Sequence, residues 1–328
     1  MTYATKAYNL IQYGRESTAG TGVAATKKWR GPAAMVEDAR TTRIVEEDIG
    51  LLVPNEAMYD TMVMARLALP QTDLNFEQIC DLFEMGIGTV TPTDNTGSYT
   101  YDYAFATGTT PNTIKTYTFE AGNVQVSGDT QEMNYTFAEE ITLSGKHDEG
   151  WMMQASLVGQ KLTQTSFTGS VAIPAVNFAP FNNTKLYIDA SGGTIGSTQK
   201  SGTLMAAEIR VQTGIRWVPV GNGNLFYSAI KYGRPAVTFS LTIEVESGGL
   251  AAAQRTAYIN KAIQLVRLNM FNDATHQADI DMAIKWDKVN PYDEEDENVT
   301  VVMDGHAVYS STDTLFFEAS VTNEEETL

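Results

Sequence analysis

Three histidines, one cysteine and a few clustered carboxylates are the residues of this chain whose types could do chemistry. His147, His276 and His306 stand singly, in "GKHDEG", "ATHQAD" and "DGHAV", each a turn-like context. A zinc site needs imidazoles at paired spacing, as in HExxH, and no such pair occurs. The one cysteine, Cys80, excludes an internal disulfide and any cysteine-based metal cluster. It lies in "FEQICDLF", on the apolar side of a predicted helix, and reads as a small buried hydrophobe rather than a reactive thiol. There is no GxSxG, and "GTGVAATKK" has glycine and lysine without the Walker spacing. Glu139 and Glu140 are the carboxylate pair a glycosidase would need, but neighbours on a strand point to opposite faces. The acidic run Asp293–Glu297 could attract calcium, yet it lacks the glycine and ligand spacing of an EF-hand and reads as a solvated loop. No catalytic, cofactor-binding or metal residues are therefore expected, and the chain reads as a non-enzyme.

The elements must then explain what the chain is for. At 328 residues, 43% of them hydrophobic, it is long enough for two domains with real cores. It has no apolar run of roughly 18 residues, so no transmembrane helix is expected. Its first residues, "MTYATKAYNLIQYGRESTAG", carry no signal-peptide core, so synthesis in the cytoplasm is expected. The net charge of −18 opposes any grip on a nucleic-acid backbone. It suits a surface past which nucleic acid slides, and equally an ordinary acidic protein.

Met1–Ala34 shows no sustained period and reads as an extended arm, ordered mainly by contact with something else. "TRIVEED" and "GLLVP" read as short strands, and "MVMARLAL" as an apolar strand ending at Pro70. A helix is predicted over "TDLNFEQICDLFEMGIG", capped at Thr72 or Asp73, with Phe76, Ile79, Cys80, Phe83 and Ile87 on one face. "YTYDYAFA" and "IKTYTFEAG" alternate as strands. "EMNYTFAEEITLSGKHDEGWMMQASLVGQ" reads as a long hairpin, turning at "GKHDEG", with "AEE" as a bulge. Thr165–Gly202 is poor in charge and rich in Gly, Ser, Asn and Pro; it reads as a linker holding one strand, "KLYIDA", available for swapping onto a neighbour. "AVTFSLTIEVESGG" is the cleanest strand: Val237, Phe239, Leu241, Ile243 and Val245 face one way, Thr238, Ser240, Thr242, Glu244 and Glu246 the other. A second helix is predicted from about Leu250 to Met270, then strands in "ADIDMAIKW", "NVTVVMDG" and "TLFFEASVTN".

Two stretches resemble each other: "WMMQASLVGQ" and "LFFEASVTNE". The openers "GLLVP" and "GIRWVP" also agree, and one helix falls between opener and closer in both halves. This order reads as a duplicated unit, against the alternative of two unrelated α+β domains. The expected class is α+β, mainly β, with two tandem antiparallel sandwich or barrel units, each flanked by one helix. The expected division is an arm at 1–40, a first unit at 41–164, a linker at 165–203 and a second unit at 204–328. Open sheet edges in such units need partners, which favours a closed ring.

With the "GRESTAGTG" arm, the long hairpin and the "FSLTIEVESGG"–helix junction in this order, the chain resembles a major tail tube protein of a long-tailed, non-contractile bacteriophage, a siphovirus. The resemblance spans about residues 10–322. It implies a structural virion protein, made in the host cytoplasm, whose rings stack into the tail tube through which DNA is ejected. A tandem unit implies a trimeric ring with pseudo-sixfold symmetry, a hexameric ring being the alternative. It also implies a tape-measure protein and tail-end proteins as partners, and double-stranded DNA in transit that is not specifically bound. No cofactor and no membrane are implied. The arm residues Gly14, Arg15, Glu16, Thr18, Gly20, Thr21 and Gly22 become candidates for contacts between rings or subunits. Thr238, Ser240, Thr242, Glu244 and Glu246 become candidates for the lumen lining; a solvated sheet face is the competing reading. Two other functions stay open at this point: a carbohydrate- or receptor-binding domain of a virion tip or fibre, and a carboxylate-based glycosidase.

Overall fold

The computed structural model describes residues 3–47, 49–50, 52–53, 57–295 and 298–328. The chain runs β1 (Asn9–Arg15), β2 (Lys27–Lys28), β3 (Glu37–Asp38), β4 (Thr41–Ile44), β5 (Met58–Met62) and β6 (Ala65–Asp73) into α1 (Gln78–Gly86). Then follow β7 (Thr93–Asp94), β8 (Tyr99–Ala104), β9 (Tyr117–Asn123), β10 (Thr130–Lys146), β11 (Trp151–Gly159), β12 (Leu162–Thr165) and β13 (Lys185–Ala190). Next come β14 (Leu204–Gln212), β15 (Ile215–Trp217), β16 (Ile230–Tyr232) and β17 (Ala236–Glu244), leading into α2 (Leu250–Asn260). The chain closes with β18 (Gln264–Asp273), β19 (His276–Val289), β20 (Asp293–Glu295), β21 (Asn298–Ala307) and β22 (Phe317–Asn323). The fold is α+β and mainly β, built on large antiparallel sheets.

Two long strands organise it. The first half of β10 lies between β9 and β12, and its second half between β11 and β14. A bulge between Ala138 and Glu140, within the predicted "AEE" step, lies just after the change from β9 to β11 and at the start of the β14 pairing. Strand β19 behaves alike: its first half lies between β18 and β22, its second half pairs β21, and its bulge falls between Trp286 and Lys288. Strand β14 pairs β10 on one side and β17 on the other, so the sheet runs unbroken from β6 through β11, β10, β14, β17 and β21 to β19. Each of β6 and β17 leads into a helix; β18–β19 follows α2 directly, whereas the β7–β8 pair intervenes between α1 and β9–β10. Each of β6 and β17 is also preceded by a separate two-stranded hairpin, β4–β5 or β15–β16.

One core runs through both halves. Val237, Phe239, Leu241 and Ile243 are buried on β17, as the alternation requires, each contributing roughly 1.5–3 kcal/mol of burial. Helix α1 is buried along its whole length, so the expected single apolar face understates its packing. Tyr101 and Tyr103 on β8 are buried as the alternation of "YTYDYAFA" implies.

Several expectations need correction. Thr72 and Asp73 do not cap α1; they end β6, opposite Met153 and Met152. The Asn75 side chain accepts instead from the Gln78 N–H at 2.8 Å. Pro70 lies inside β6 rather than ending it. The second helix stops at Asn260, because Lys261 turns left-handed at φ 54°. From Gln264 the chain is strand: Val266, Leu268 and Met270 are buried while Arg267 and Asn269 are not, a period of two that overrides helix propensity. "KLYIDA" is β13 and pairs β18 of its own chain. Of "GLLVP", Leu51 and Pro54 lie outside the described residues, and "GIRWVP" is strand only over Ile215–Trp217. The two look-alike strands hold different places: β11 pairs β6 and the second half of β10, whereas β22 pairs β8 and the first half of β19.

The N-terminal segment is also not a free arm. β1 pairs β9 from Asn9 to Arg15. Gly14 passes so close to the Ala24 carbonyl that any Cβ would stand 2.4 Å from its oxygen. Arg15 Nε donates to Glu84 at 2.7 Å. Buried Glu16 accepts from Thr116 and Thr118 hydroxyls at 2.6 and 2.9 Å, and from the Gly20 and Tyr135 N–H groups at 2.8 Å each. Lys27 sits 2.7 Å from Glu325 and 3.5 Å from Asp81. Burial opposes its charge, but those carboxylates outweigh burial and raise its pKa. What remains outside is the tip: Thr18, Thr21 and Gly22 are exposed, with Gly20 in the left-handed region at φ 80°.

Candidate functional site

The outward face of the large sheet is where the polar residues of the strands converge. Thr238, Ser240, Thr242 and Glu244 alternate with the buried residues of β17 and share this face. Glu246 does not: it lies beyond the strand, exposed in the turn before α2. Register extends the face in rows. Ser240 lies between Glu208 of β14 and Asp304 of β21, and Glu208 faces Ser144 of β10. Thr238 lies between Arg210 and His306, and Arg210 faces Thr142. Farther along, Asp281 and Asp279 of β19 face Glu318 and Ser320 of β22, and Ser320 faces Asp102 of β8.

Three arginines of this face are held by acids. Arg210 reaches Glu140 at 2.7 Å, and that hydrogen bond, with the charge of Glu140, raises the arginine's pKa. Arg66 reaches Glu139 at 3.2 Å. Arg267 is gripped by Asp281 at 2.7 and 2.6 Å, with Asp279 at 3.4 Å, and the Asp281 hydrogen bonds raise its pKa. Burial pushes the Glu318 carboxyl up, and the charges of Asp281 and Asp102 add to the effect. The hydroxyls are tied similarly: Ser240 donates to Asp304 at 2.8 Å and Ser320 to Asp102 at 2.6 Å. A bound guanidinium has already traded its water for a carboxylate and offers little to a phosphate.

Glu139 and Glu140 come together in a way strand alternation denied. The bulge between Ala138 and Glu140 breaks the alternation, and both carboxylates line one groove of about 610 Å³ beside Arg66, Arg210, Arg216 and Arg234. Each carboxylate is already bonded to an arginine.

The remaining chemical residues are structural. Cys80 is fully buried, and burial pushes its thiol up. His306 lies on β21 rather than in a turn and contacts Asp287 at 2.8 Å. His276 is buried, 3.0 Å from Asp273 and 2.8 Å from the Asn177 amide. Among the described residues no three His, Cys, Asp or Glu cluster as metal ligands would. Among the described residues no helix is long and apolar enough to cross a membrane.

Sequence reasoning missed Arg210, Glu208 and Arg267. The alternation of "AEIRVQ" was available for the first two. The helix reading of "QLVRLNM" hid the third.

Comparison with known proteins places these elements in context. A protein-family model described as phage tail tube protein matches residues 9–301. That family is structural and not enzymatic, which sets the glycosidase alternative aside. No curated protein matches the chain.

Proposed function

We propose, from the premise that this chain belongs to the phage tail tube protein family, that its rings stack into the conduit for DNA ejection and that the outward polar face of its large sheet lines the channel. The observation that carries this reading is the pairing of Arg66, Arg210 and Arg267 with carboxylates on that face. Duplex DNA carries one charge per ~1.7 Å of axis. Free guanidiniums would brake it at every ring. Bound ones, set among hydroxyls and surplus acids in a chain of net charge −18, leave phosphates hydrated and mobile. Thr238, Ser240, Thr242 and Glu244 take part in this lining; Glu246 belongs to the turn beside it.

The ring is trimeric with pseudo-sixfold symmetry, each chain supplying two copies of one unit, as in a siphovirus tail. Support comes from pairing rather than from the look-alike strands. β6, α1, β9, β10, β11 and β12 have partners in the same arrangement as β17, α2, β18, β19, β21 and β22. The arm's exposed tip, with Thr18, Gly20, Thr21 and Gly22, is available for contacts between rings; Gly14, Arg15 and Glu16 serve by anchoring it. A tape-measure protein during assembly and DNA during ejection are the occupants of the channel.

The test is a cryo-EM map of tubes assembled from the purified protein. Three chains per ring, with Glu208, Arg210 and Ser240 facing the channel, are expected. Six chains per ring, or this face on the outside of the tube, would overturn the reading.

A further inference from the structure

The sheet that joins the two halves of the chain carries a template for joining two chains. Strand β14 fills the gap between the second half of β10 and β17. The corresponding gap beside the second half of β19 is empty. Pairing of β19 with β18 ends at Ile284 opposite Gln264, so among the described residues no strand flanks Lys285–Val289 on that side. At the other end of the sheet, β3 lies on β6, and among the described residues no strand pairs its outer side.

The two edges correspond to the two sides of the internal joint. The bulges align Glu140 of β10 with Lys288 of β19. Stepping across the sheet, Ala138 faces Leu157 and then Leu67, as Trp286 faces Gly305 and then Phe239. Phe239 faces Ile209 of β14, while the β3–β6 register brings Val36 abreast of Leu67. Both Val36 and Ile209 are buried. Residues 33–39 therefore stand to β6 as β14 stands to β17, and Glu37 holds the place of Arg210.

We propose that the outer edge at Lys288–Asn290 takes up residues 37–39 of a second copy of this chain, with Lys288 paired to Glu37 of that copy. Transferring the β10–β14 register sets Lys288 opposite Ala39, Val289 opposite Asp38 and Asn290 opposite Glu37. Two independent features agree with it. First, the backbone groups match. Asn290 N–H bonds Val302 and Ala39 N–H bonds Met64, so by strand alternation Val289 and Asp38 are the residues whose N–H and C=O point outward. The transferred register sets those two face to face. Second, the charges match with inverted sign. Within the chain Glu140 binds Arg210 at 2.7 Å across the joint; at the open edges the same places hold Lys288 and Glu37. Both are exposed, and neither has an ion pair among the described residues. Pro291, next along the edge, carries no N–H, which shortens this ladder and discourages unspecific strand addition.

The contact is head-to-tail, one edge of each copy meeting the opposite edge of the next, the kind of interface whose repetition gives a ring when the rotation closes. It rests on the ring reading above and names the surfaces that make it. The test uses the full chain under conditions where wild-type rings are counted by electron microscopy. Glu37→Lys and Lys288→Glu should each raise the concentration for half-assembly by about threefold to tenfold, as rim charges do, and the double reversal should restore it. Ala39→Cys with Lys288→Cys occupies a non-hydrogen-bonded pair, within disulfide reach at roughly 4.5 Å between Cα atoms. Oxidised rings of that variant should run as covalent multimers, and a displaced pair, Ala33→Cys with Lys288→Cys, should not. If rings form normally but the Ala39→Cys/Lys288→Cys pair stays unlinked, or the double charge reversal fails to rescue, the edge assignment is overturned and the tube reading stands. If wild-type protein forms no rings at any concentration, both fall.

Discussion

With the sheet face lining the channel as proposed, Glu140→Gln should make that channel hold DNA. The change keeps size and hydrogen-bonding capacity but removes the charge that binds Arg210 at 2.7 Å. Glu208, the other acid acting on Arg210, is removed in a second variant, Glu140→Gln/Glu208→Gln. Arg210 is half exposed, so the freed charge acts through water-like dielectric. A phosphate about 4 Å away then gains about 1 kcal/mol per guanidinium, or roughly fivefold in affinity. Counterion release adds a slope near −0.9 in log K against log salt for each phosphate engaged. With one contact from each of three chains, affinity should fall about fortyfold between 50 and 200 mM salt. Preassembled tubes are pelleted with a short labelled duplex across a salt series. Wild type should retain little at any salt, the single variant more, and the double variant most, both variants with that steep slope. Equal retention by wild type and variants at low salt would refute the reasoning, because Arg210 then either does not face the channel or is not restrained by Glu140.

Other expectations follow from the packing and the charges. Glu16→Ala strips buried donors of their acceptor and should cost about 2–4 kcal/mol, read as a lower urea midpoint with the arm tip newly open to protease. Gly214→Ala puts a side chain at φ 74°, with its Cβ 2.8 Å from the Gly233 and Arg234 carbonyl oxygens, and should lose about 1–3 kcal/mol in chemical denaturation. Trp151→Ala empties a fully buried site packed on Phe181 and frees the Thr184 hydroxyl; a loss of about 3–5 kcal/mol is expected by the same method. Asp313 is held below the usual carboxylate range, first by the Ser191 hydroxyl and then by that of Ser310. Its stabilisation is present above the ordinary aspartate pKa and lost as pH falls through the depressed one. Asp313→Asn should therefore lower the melting temperature at pH 7, and the gap to wild type should narrow below about pH 4; a gap constant in pH would contradict this.

The face of the sheet was legible to different depths along the chain. Five alternating apolar residues, Val237 to Val245, announced β17 and its polar side, because a half-buried strand leaves a period of two in the sequence. The bulge in "AEE" was legible too. The reach of that face was not. Arg210 meets Glu140 only because β14 inserts beside β10, and no local pattern reports which strand becomes a neighbour. The second helix was overextended because "QLVRLNMF" has the residues of a helix and the pairing of a strand; β13 and β19 on either side decided it. The look-alike closing strands misled for the opposite reason. Residue likeness over a few positions reflects a shared burial pattern, and β11 and β22 share that pattern in different places.

By itself the sequence determined the mainly β class, the absence of cysteine chemistry, the acidic balance and the alternation of the central strand. These are properties of composition and short-range period, and they survive any change of neighbour. Tertiary structure decided that the supposed arm is stitched down by Glu16 and Lys27, that Glu139 and Glu140 share a groove, and which strand edges lack a partner among the described residues. The first depends on contacts between residues a hundred or more positions apart, the others on a bulge and on which strands become neighbours. Backbone groups and charges must find partners there, and the chain records that demand only as ordinary polar residues.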